Sequence, residues 1–586
     1  MSENLEMNLE TYDESVYGEP YCTQNNCLFE KRLTKDGIVH IKLADFVPVL
    51  KSEITYDNGQ EQKKHFKIGG MHASGVTLPE TVVTAEEMHS MKWMLNRWGT
   101  LGAAQPTPTT LNKIGHAITL TKENVAHETI YLQTGWKKIG ERYVFLMPEE
   151  NSTFTVELSG KLKRYSFDSE ASANLNLLAS MLRNSFVPER VMFPLLSIAF
   201  LSPLNSFLND AGCVPKFALA LVGRTGSRKS TLAALFLSFF GRFTASDLPM
   251  SFHDTSNSIS ESCYYLKDTL TCIDDLHPSG SKSETAMRDT LQDISRYFGD
   301  RIGRARLNSK SELMESKPPL CNAIITAEYM PEISVSGQAR YLTVELKEND
   351  VRLDILSEYQ KYASSGALVS LMKKYIRWLY VNFISEYDMK LLLADWFRRC
   401  RKCFRNMLNE TGKSFHNRVP DMLAHLKISF LLLLKFLKDN NTLSEEDADR
   451  YSKEYDSILI ENVTANAETI ESENPAIKFL DKLRSLLDSG KCYVVQRGGE
   501  TARGKGYVGL EDESHYYLLT DAAYTEVRKA CSEAGEHFTI SKNQLLKDLG
   551  DGGYLVRNGN RNTTNIRDNS GKTINVAVIN KGRLQS

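Results

Sequence analysis

The sequence predicts a multidomain α/β protein, and three observations carry that prediction. At 586 residues the chain exceeds what one hydrophobic core organises, about 250–300 residues. Its hydrophobic period changes along the chain, from strand-like alternation before residue 168 to helical spacing from residue 170 onward. The apolar run "FALALV" then passes through a glycine-rich loop into a second apolar segment, the strand–loop–helix junction of an α/β core. Composition is that of a folded chain, 41% apolar and 25% charged, and the formal charge is only −2. A chain-wide polycation is excluded, so any nucleic-acid surface has to be local.

Five regions follow in order. Residues 1–30 read as a polar N-terminal tail, although "YCTQNNCLFEKRL" contains strand-type residues. The opening "MSENLEMNLETYDESVYGEP" has neither the basic nor the apolar part of a secretion signal, which predicts a cytoplasmic protein. Residues 31–170 form a β-rich domain of short runs between turn residues: "GIVHIKLADF", "HFKIGG", "HETIYLQTGW", "ERYVFLMP", "STFTVELSG" and "KRYSF". One helix is expected there, over "AEEMHSMKWMLNRWG". Residues 171–350 hold the α/β core, opened by helical "ASANLNLLASMLRNSF" and "VMFPLLSIAFLSPLNSFL". Residues 351–470 are helical and end in the polar "NVTANAETIESEN", read as a linker. Within them "ISFLLLLKFL" is interrupted by Lys435 and falls short of the roughly 20 residues a membrane span needs. It reads as a buried helix, and no membrane association is expected. Residues 471–586 suggest a small domain in which "PAIKFLDKLRSLLDSG", "AAYTEVRKACSEAG" and "SKNQLLKDLG" are helices and "YLVRNG" and "INVAVIN" are strand-like. The ten cysteines are scattered, and neither Cys22 with Cys27 nor Cys400 with Cys403 has the second pair a tetrahedral metal requires.

The segment "GRTGSRKST" has the parts of a phosphate loop. Backbone N–H groups turned inward make an anion nest, the next helix presents its positive end, and a lysine reaches the terminal phosphates. Gly223 and Gly226 supply the turn, Lys229 the cation and Ser230 a hydroxyl for magnesium. With Arg224, Thr225, Ser227, Arg228 and Thr231 they are the expected nucleotide contacts. Arg228 stands where the usual pattern has glycine. Read as the first residue of the helix it would have negative φ, where an outward-turned arginine is tolerated.

A second apolar strand in "YLKDTLTCIDDLHP" ends in Asp274 and Asp275. A magnesium nucleotide needs one carboxylate to hold the metal and another to polarise the attacking water. Asp274 suits the first role, beside Ser230, and Asp275 the second. A third strand, "CNAIIT", ends in Thr326, whose hydroxyl is placed to report on the γ-phosphate. A fourth follows Arg340 in "SGQARYLTVEL". That arginine either neutralises charge on the phosphoryl group held by a neighbouring subunit or forms a surface salt bridge. Arg418, at the start of a helix beyond the core, either contacts the nucleotide from a lid or is an ordinary surface cation.

These pieces together resemble the AAA+ ATPases. More narrowly, the chain is similar to the MCM-like helicases of mobile genetic elements, such as those of staphylococcal cassette chromosomes and related phages and plasmids. The resemblance covers most of the chain and rests on "YLQTGWKKIGERYVFL", "GRTGSRKST", "TCIDDLHP", "ITAE", "GQARYLTVEL" and "FTISKNQLLKDLGDGGYLVR". It implies an AAA+ P-loop ATPase core with a helical lid and a C-terminal winged helix, using ATP and Mg2+. It also implies a homo-hexamer on single- or double-stranded DNA, with replication-initiation proteins as possible partners. By the same resemblance, glycine is absent before the lysine in the MCM pattern too, Arg340 is an arginine finger and Arg418 the lid's second sensor. MCM proteins carry asparagine at the first sensor, where this chain has Thr326. Trp136 of the Thr-Gly-Trp segment is expected to pack rather than to react.

Two segments are candidates for DNA. "SRYFGDRIGRARLNSKSELMESKPP" precedes the Thr326 strand, where the resemblance places a hairpin in a hexamer's pore. Arg301, Arg304, Arg306 and Lys310 could track phosphates there, the plainer reading being a solvated basic loop. The C-terminal helix and hairpin, with Arg557, Arg561 and Arg567 expected in the hairpin loop, could dock on DNA or on protein. The expected function is an ATP-dependent DNA helicase or translocase. The alternative is an NTP-gated switch that binds DNA or protein without translocating.

Overall fold

A computed structural model of the chain describes residues 16–122, 125–276, 281–303, 306–307, 313–330, 339–472, 475–501, 504–534, 538, 540–557, 559 and 561–584. These fall into two compact units that divide after Ile460. The first begins with a three-stranded antiparallel sheet of β1 (Tyr21–Gln24), β2 (Cys27–Thr34) and β3 (Gly37–Ala44). A second sheet is built from β4 (Phe46–Asp57), β5 (Gln62–His72), β6 (Thr77–Thr84) and β7 (Ala126–Tyr131). After the hairpin of β8 (Gly135–Ile139) and β9 (Arg142–Leu146), β10 (Thr155–Val156) completes it in the order β10-β7-β4-β5-β6.

The longest strand, β4, is absent from the sequence reading because Pro48 lies inside it, and proline lacks a ladder donor. Strand β7 pairs only with Ser52–Asp57, so Pro48 sits where β4 has one neighbour, β5, instead of two. Opposite it stands Gly70, where a Cβ would lie 2.1 Å from the Val47 carbonyl oxygen. The single helix expected over 85–99 is two, Ala85–Ser90 and Trp93–Trp98, because Met91 turns left-handed at φ 55 and closes the first. "KRYSF" is no strand. Gly160–Arg164 is a 3-10 turn, and Tyr165 is drawn into the core by hydrogen bonds to the Leu270 carbonyl at 3.0 Å and the Thr271 hydroxyl at 3.1 Å.

The α/β core is a five-stranded sheet of β11 (Ala218–Val222), β12 (Met250–Ser251), β13 (Leu270–Leu276), and, after the short hairpin of β14 (Arg306–Leu307) and β15 (Leu313–Met314), β16 (Asn322–Ala327) and β17 (Tyr341–Glu345). Its order is β12-β13-β16-β11-β17 and every pair is parallel. Strands β11 and β16 are apolar and buried on both faces, as parallel strands under helices are. Helices Glu189–Leu201 and Lys229–Leu237 pack against the sheet. Among the described residues one helical stretch, Glu189–Asp210, is long and apolar enough to cross a membrane, and 94% of it is buried inside the fold. Trp136 is also buried: its indole N–H donates to the Pro203 carbonyl at 2.8 Å, and its ring meets Phe145, Phe207 and Tyr380. The Thr-Gly-Trp segment is therefore a packing element.

Helices Leu353–Ser364, Ala367–Leu379, Met389–Glu410, Val419–Asp439 and Glu445–Ser472 follow. The last overturns the expected linker, since most of "NVTANAETIESEN" is helical; its alanines and glutamates favour helix once tertiary packing has started one. The second unit combines helices Pro475–Asp488, Thr520–Glu533 and Lys542–Asp551 with a five-stranded sheet. Its strands are β18 (Tyr493–Gln496), β19 (Tyr507–Glu511), β20 (His515–Leu519), β21 (Thr564–Arg567) and β22 (Thr573–Asn580), ordered β18-β19-β20-β22-β21. "YLVRNG" contributes only a bridge from Leu555 to Ile579.

Candidate nucleotide site and its arginine pair

The strand order sets β11 between the last two strands, so the loop after it opens outside the carboxyl ends of the sheet, where α/β folds bind ligands. Each loop glycine has its own reason. Gly226 has φ 85, and a Cβ on Gly223 would lie 2.5 Å from the Leu346 carbonyl oxygen. Lys229 begins the helix and its ammonium donates to the carbonyls of Gly223 at 2.6 Å and Arg224 at 2.9 Å. Burial pulls the lysine pKa below its ordinary value, against the raising influence of Glu328, Asp274 and Asp275.

Arg228 corrects the sequence reading. It does not enter the helix with negative φ but precedes it at φ 72, ψ 22, in the left-handed region that favours glycine. The loop needs that turn to aim its next N–H groups inward, so the substitution costs backbone strain of about 1–2 kcal/mol. Arg228 lines a cavity of about 260 Å³ together with Gly226, Lys229, Ser230, Asp275 and Glu328.

Consecutive strand residues face opposite sides of a sheet, and β13 departs from that regularity at its end. Pairing with β16 shifts between Ile273 and Leu276, and Asp275 has φ 65. Asp274 Oδ1 accepts hydrogen bonds from the Ser230 hydroxyl at 2.8 Å and from the Thr326 hydroxyl. Asp275 stays 59% exposed at its side chain, 3.6 Å from His253. Thr326, expected as a γ-phosphate sensor, lines the same cavity and is also tied to both aspartates. Its hydroxyl donates to the Asp274 carboxylate and accepts from the Asp275 backbone N–H at 3.0 Å, and the residue is 1% exposed, so it orients the Asp274 carboxylate and fixes the backbone at Asp275. The sequence reading passed over His253 and Glu328; the glutamate is two residues past Thr326 in the quoted "ITAE", a signal that was available. The hard oxygens of Ser230 and Asp274, brought together beside Lys229, form a donor set that suits Mg2+.

Arg340 and Arg418 do not line this cavity. Register pairs Ala218 with Tyr341 and Val222 with Glu345, so Arg340 lies at the amino ends of the strands. One five-residue strand, about 16 Å, separates it from the loop. There Arg340 Nη2 donates to both Asp300 oxygens at 3.0 and 3.1 Å. Arg418 Nη2 donates to the same carboxylate at 3.0 Å, and its Nη1 to the Gly299 carbonyl at 3.0 Å. Burial alone would raise the Asp300 carboxyl, but the hydrogen bonds of Arg418 and Arg340 outweigh it and hold the pKa below the ordinary range.

The basic segments divide. Arg301 is no DNA contact: its guanidinium is spent on the carbonyls of Pro215, Pro319 and Cys321 and on Asn322 Oδ1, at 2.6, 2.9, 2.7 and 3.0 Å. Burial pushes its pKa down to about 10. Arg304 and Lys310 lie outside the described residues, and Arg306 opens β14, whose hairpin partner is β15. Arg557 is tied to Asp551 at 2.5 Å and Asn562 at 3.0 Å. The expected hairpin loop is also shorter than read, because Arg567 belongs to β21 and the turn runs through residues 568–572. Arg561 and Arg567 are exposed.

No protein-family model matches the chain, and no curated protein does. Among solved structures, one titled "SCCmec type IV Cch - active helicase" shares the fold across 97% of this chain and 98% of that one, with a TM-score of 0.59 at 13% identity. A structure of JCV helicase matches 40% of this chain and 70% of that one at 15% identity, with a TM-score of 0.20 that carries no argument. The chain thus shares the fold of that structure over nearly its whole length.

Proposed function

We propose that this chain is an ATP-dependent DNA helicase or translocase that works as a ring of identical subunits, a hexamer, in the replication of a mobile genetic element. One observation carries the reading: the phosphate loop and the arginine pair occupy opposite ends of one parallel sheet. Neither arginine can reach its own chain's loop, whereas head-to-tail copies bring the arginines of one to the loop of the next.

Lys229 and the loop N–H groups bind the polyphosphate, and Arg228 adds a second cation at the cavity wall. Ser230 and Asp274 would hold Mg2+, which offsets charge on the phosphate oxygens. Asp275, exposed beside His253, accepts the proton of the attacking water, while Thr326 holds the Asp274 carboxylate and the Asp275 backbone N–H in place. Residues 31–170 form the β-rich domain, 171–350 the AAA+ core, 351–470 the helical lid and 471–586 a winged-helix domain; the expected 30-residue tail is corrected, because Tyr21–Gln24 and the strand from Cys27 already belong to the first sheet and Tyr17, Tyr21 and Leu28 are buried in its core. The order helix, helix, hairpin over 520–580 supports that last reading, with Arg561 and Arg567 facing phosphates. The β14–β15 hairpin, with Arg304, Arg306 and Lys310, is the translocating element on single-stranded DNA.

The test measures phosphate release and duplex separation by the full chain, with and without single-stranded DNA, alongside solution mass. Turnover stimulated by DNA in an ATP-assembled ring supports the proposal. Turnover indifferent to DNA by a stable monomer overturns it and favours an NTP-gated switch.

A further inference from the structure

We infer that Asp300 is a positioning residue that joins Arg340 and Arg418 into one anion receptor for the terminal phosphate of a nucleotide held by a second copy of this chain. The inference rests on the reading above that the arginines serve a neighbouring subunit.

The receptor is built from three separate parts of the chain. Asp300 ends helix Ser281–Asp300, Arg340 precedes β17, and Arg418 caps helix Val419–Asp439. Two guanidinium groups on one carboxylate repel each other unless that carboxylate lies between them, and here it accepts from both. The cluster keeps one unit of positive charge, two cations against one anion. The nearby His416 adds none in this geometry, because its Nδ1 accepts the Arg418 backbone N–H at 3.2 Å. Burial and the two arginines also lower the His416 pKa.

Donor capacity is left over as well as charge. Among the described residues Arg340 Nε has no hydrogen-bond partner, so the Asp300 contacts do not exhaust the donors of this guanidinium. Gly299 belongs to the same construction. Its carbonyl accepts from Arg418, and a Cβ on it would lie 2.1 Å from Arg340 Cδ, so the arginine crosses the chain only because residue 299 has no side chain. Bidentate planar groups fixed in this way favour a phosphoryl group, since orientation is set before it arrives.

The experiment uses full-length chains carrying Asp300→Asn, Asp300→Glu, Arg340→Ala and Lys229→Ala, singly and mixed, and reads steady-state ATP turnover and affinity for a non-hydrolysable ATP analogue. Asp300→Asn is expected to lower kcat about tenfold to a hundredfold, in the range of lost transition-state donors, with analogue affinity unchanged. Asp300→Glu, which keeps the carboxylate, recovers part of the loss. Mixing Asp300→Asn with Lys229→Ala restores turnover, because the second chain lends an intact receptor to the first chain's intact loop; a defect in the variant's own folding would not be complemented. Wild-type kcat in Asp300→Asn, loss of analogue binding with it, or no recovery on mixing while Arg340→Ala does recover, overturns the inference. A wild-type chain without turnover, or full turnover in Arg340→Ala, fails earlier, by overturning the subunit-sharing reading itself.

Discussion

The two ends of the core sheet solve opposite problems. At the carboxyl ends, polar groups satisfy one another: Lys229 is held by carbonyls of its own loop, and Ser230 and Thr326 by Asp274 from the neighbouring strand. At the amino ends, groups from three distant segments share one carboxylate and leave charge and a donor unused. The first arrangement is a site whose parts one chain supplies. The second, on the proposal above, is completed by a neighbouring copy.

The sharpest way to break this contrast is Lys229→Ala, which should abolish phosphate release, by about a thousandfold or more given what charged phosphate contacts supply. Turnover that survives it would remove the carboxyl end as the nucleotide site. Arg340→Ala comes next, with a fall in kcat of about a hundredfold to a thousandfold and unchanged analogue affinity. A parallel loss of affinity would mean that the two ends are not separate. Arg301→Ala sharpens the contrast differently, because residue 301 adjoins Asp300 yet turns inward. Leaving its carbonyl partners buried and unpaired should cost on the order of 3 kcal/mol, read as a lowered thermal midpoint. DNA affinity per folded molecule should not change.

A smaller effect tests Asp300 by pH. Its folded pKa is depressed, so its stabilising contribution is present above the unfolded value, about 4, and is lost as pH falls through the folded one. The difference in thermal midpoint between wild type and Asp300→Asn should hold from neutral pH to about 4 and close below it. The smallest concerns Arg228→Gly. Removing left-handed strain should stabilise the chain by about 1 kcal/mol while weakening nucleotide binding, measured by calorimetry. Equal affinity in the glycine variant would make Arg228 a bystander.

Much of the carboxyl-end site was legible because its chemistry is local. Loop, helix and the acids at the end of β13 are contiguous stretches, each with its own apolar strand. What escaped was backbone detail: the left-handed turns at Arg228 and Asp275 and the register shift at the end of β13. Strand β4 was hidden by Pro48, and the strands between 493 and 519 by their brevity.

The linear order of residues by itself determined the α/β core, the glycine-rich loop after its first strand and the cations at 340 and 418, since periodicity and spacing are properties of neighbours along the chain. Only the tertiary structure decided that Arg301 is a buried brace while Arg340 and Arg418 meet on Asp300. An arginine's task depends on which acceptors surround it, and those come from segments up to 119 residues apart, a distance that no local pattern spans.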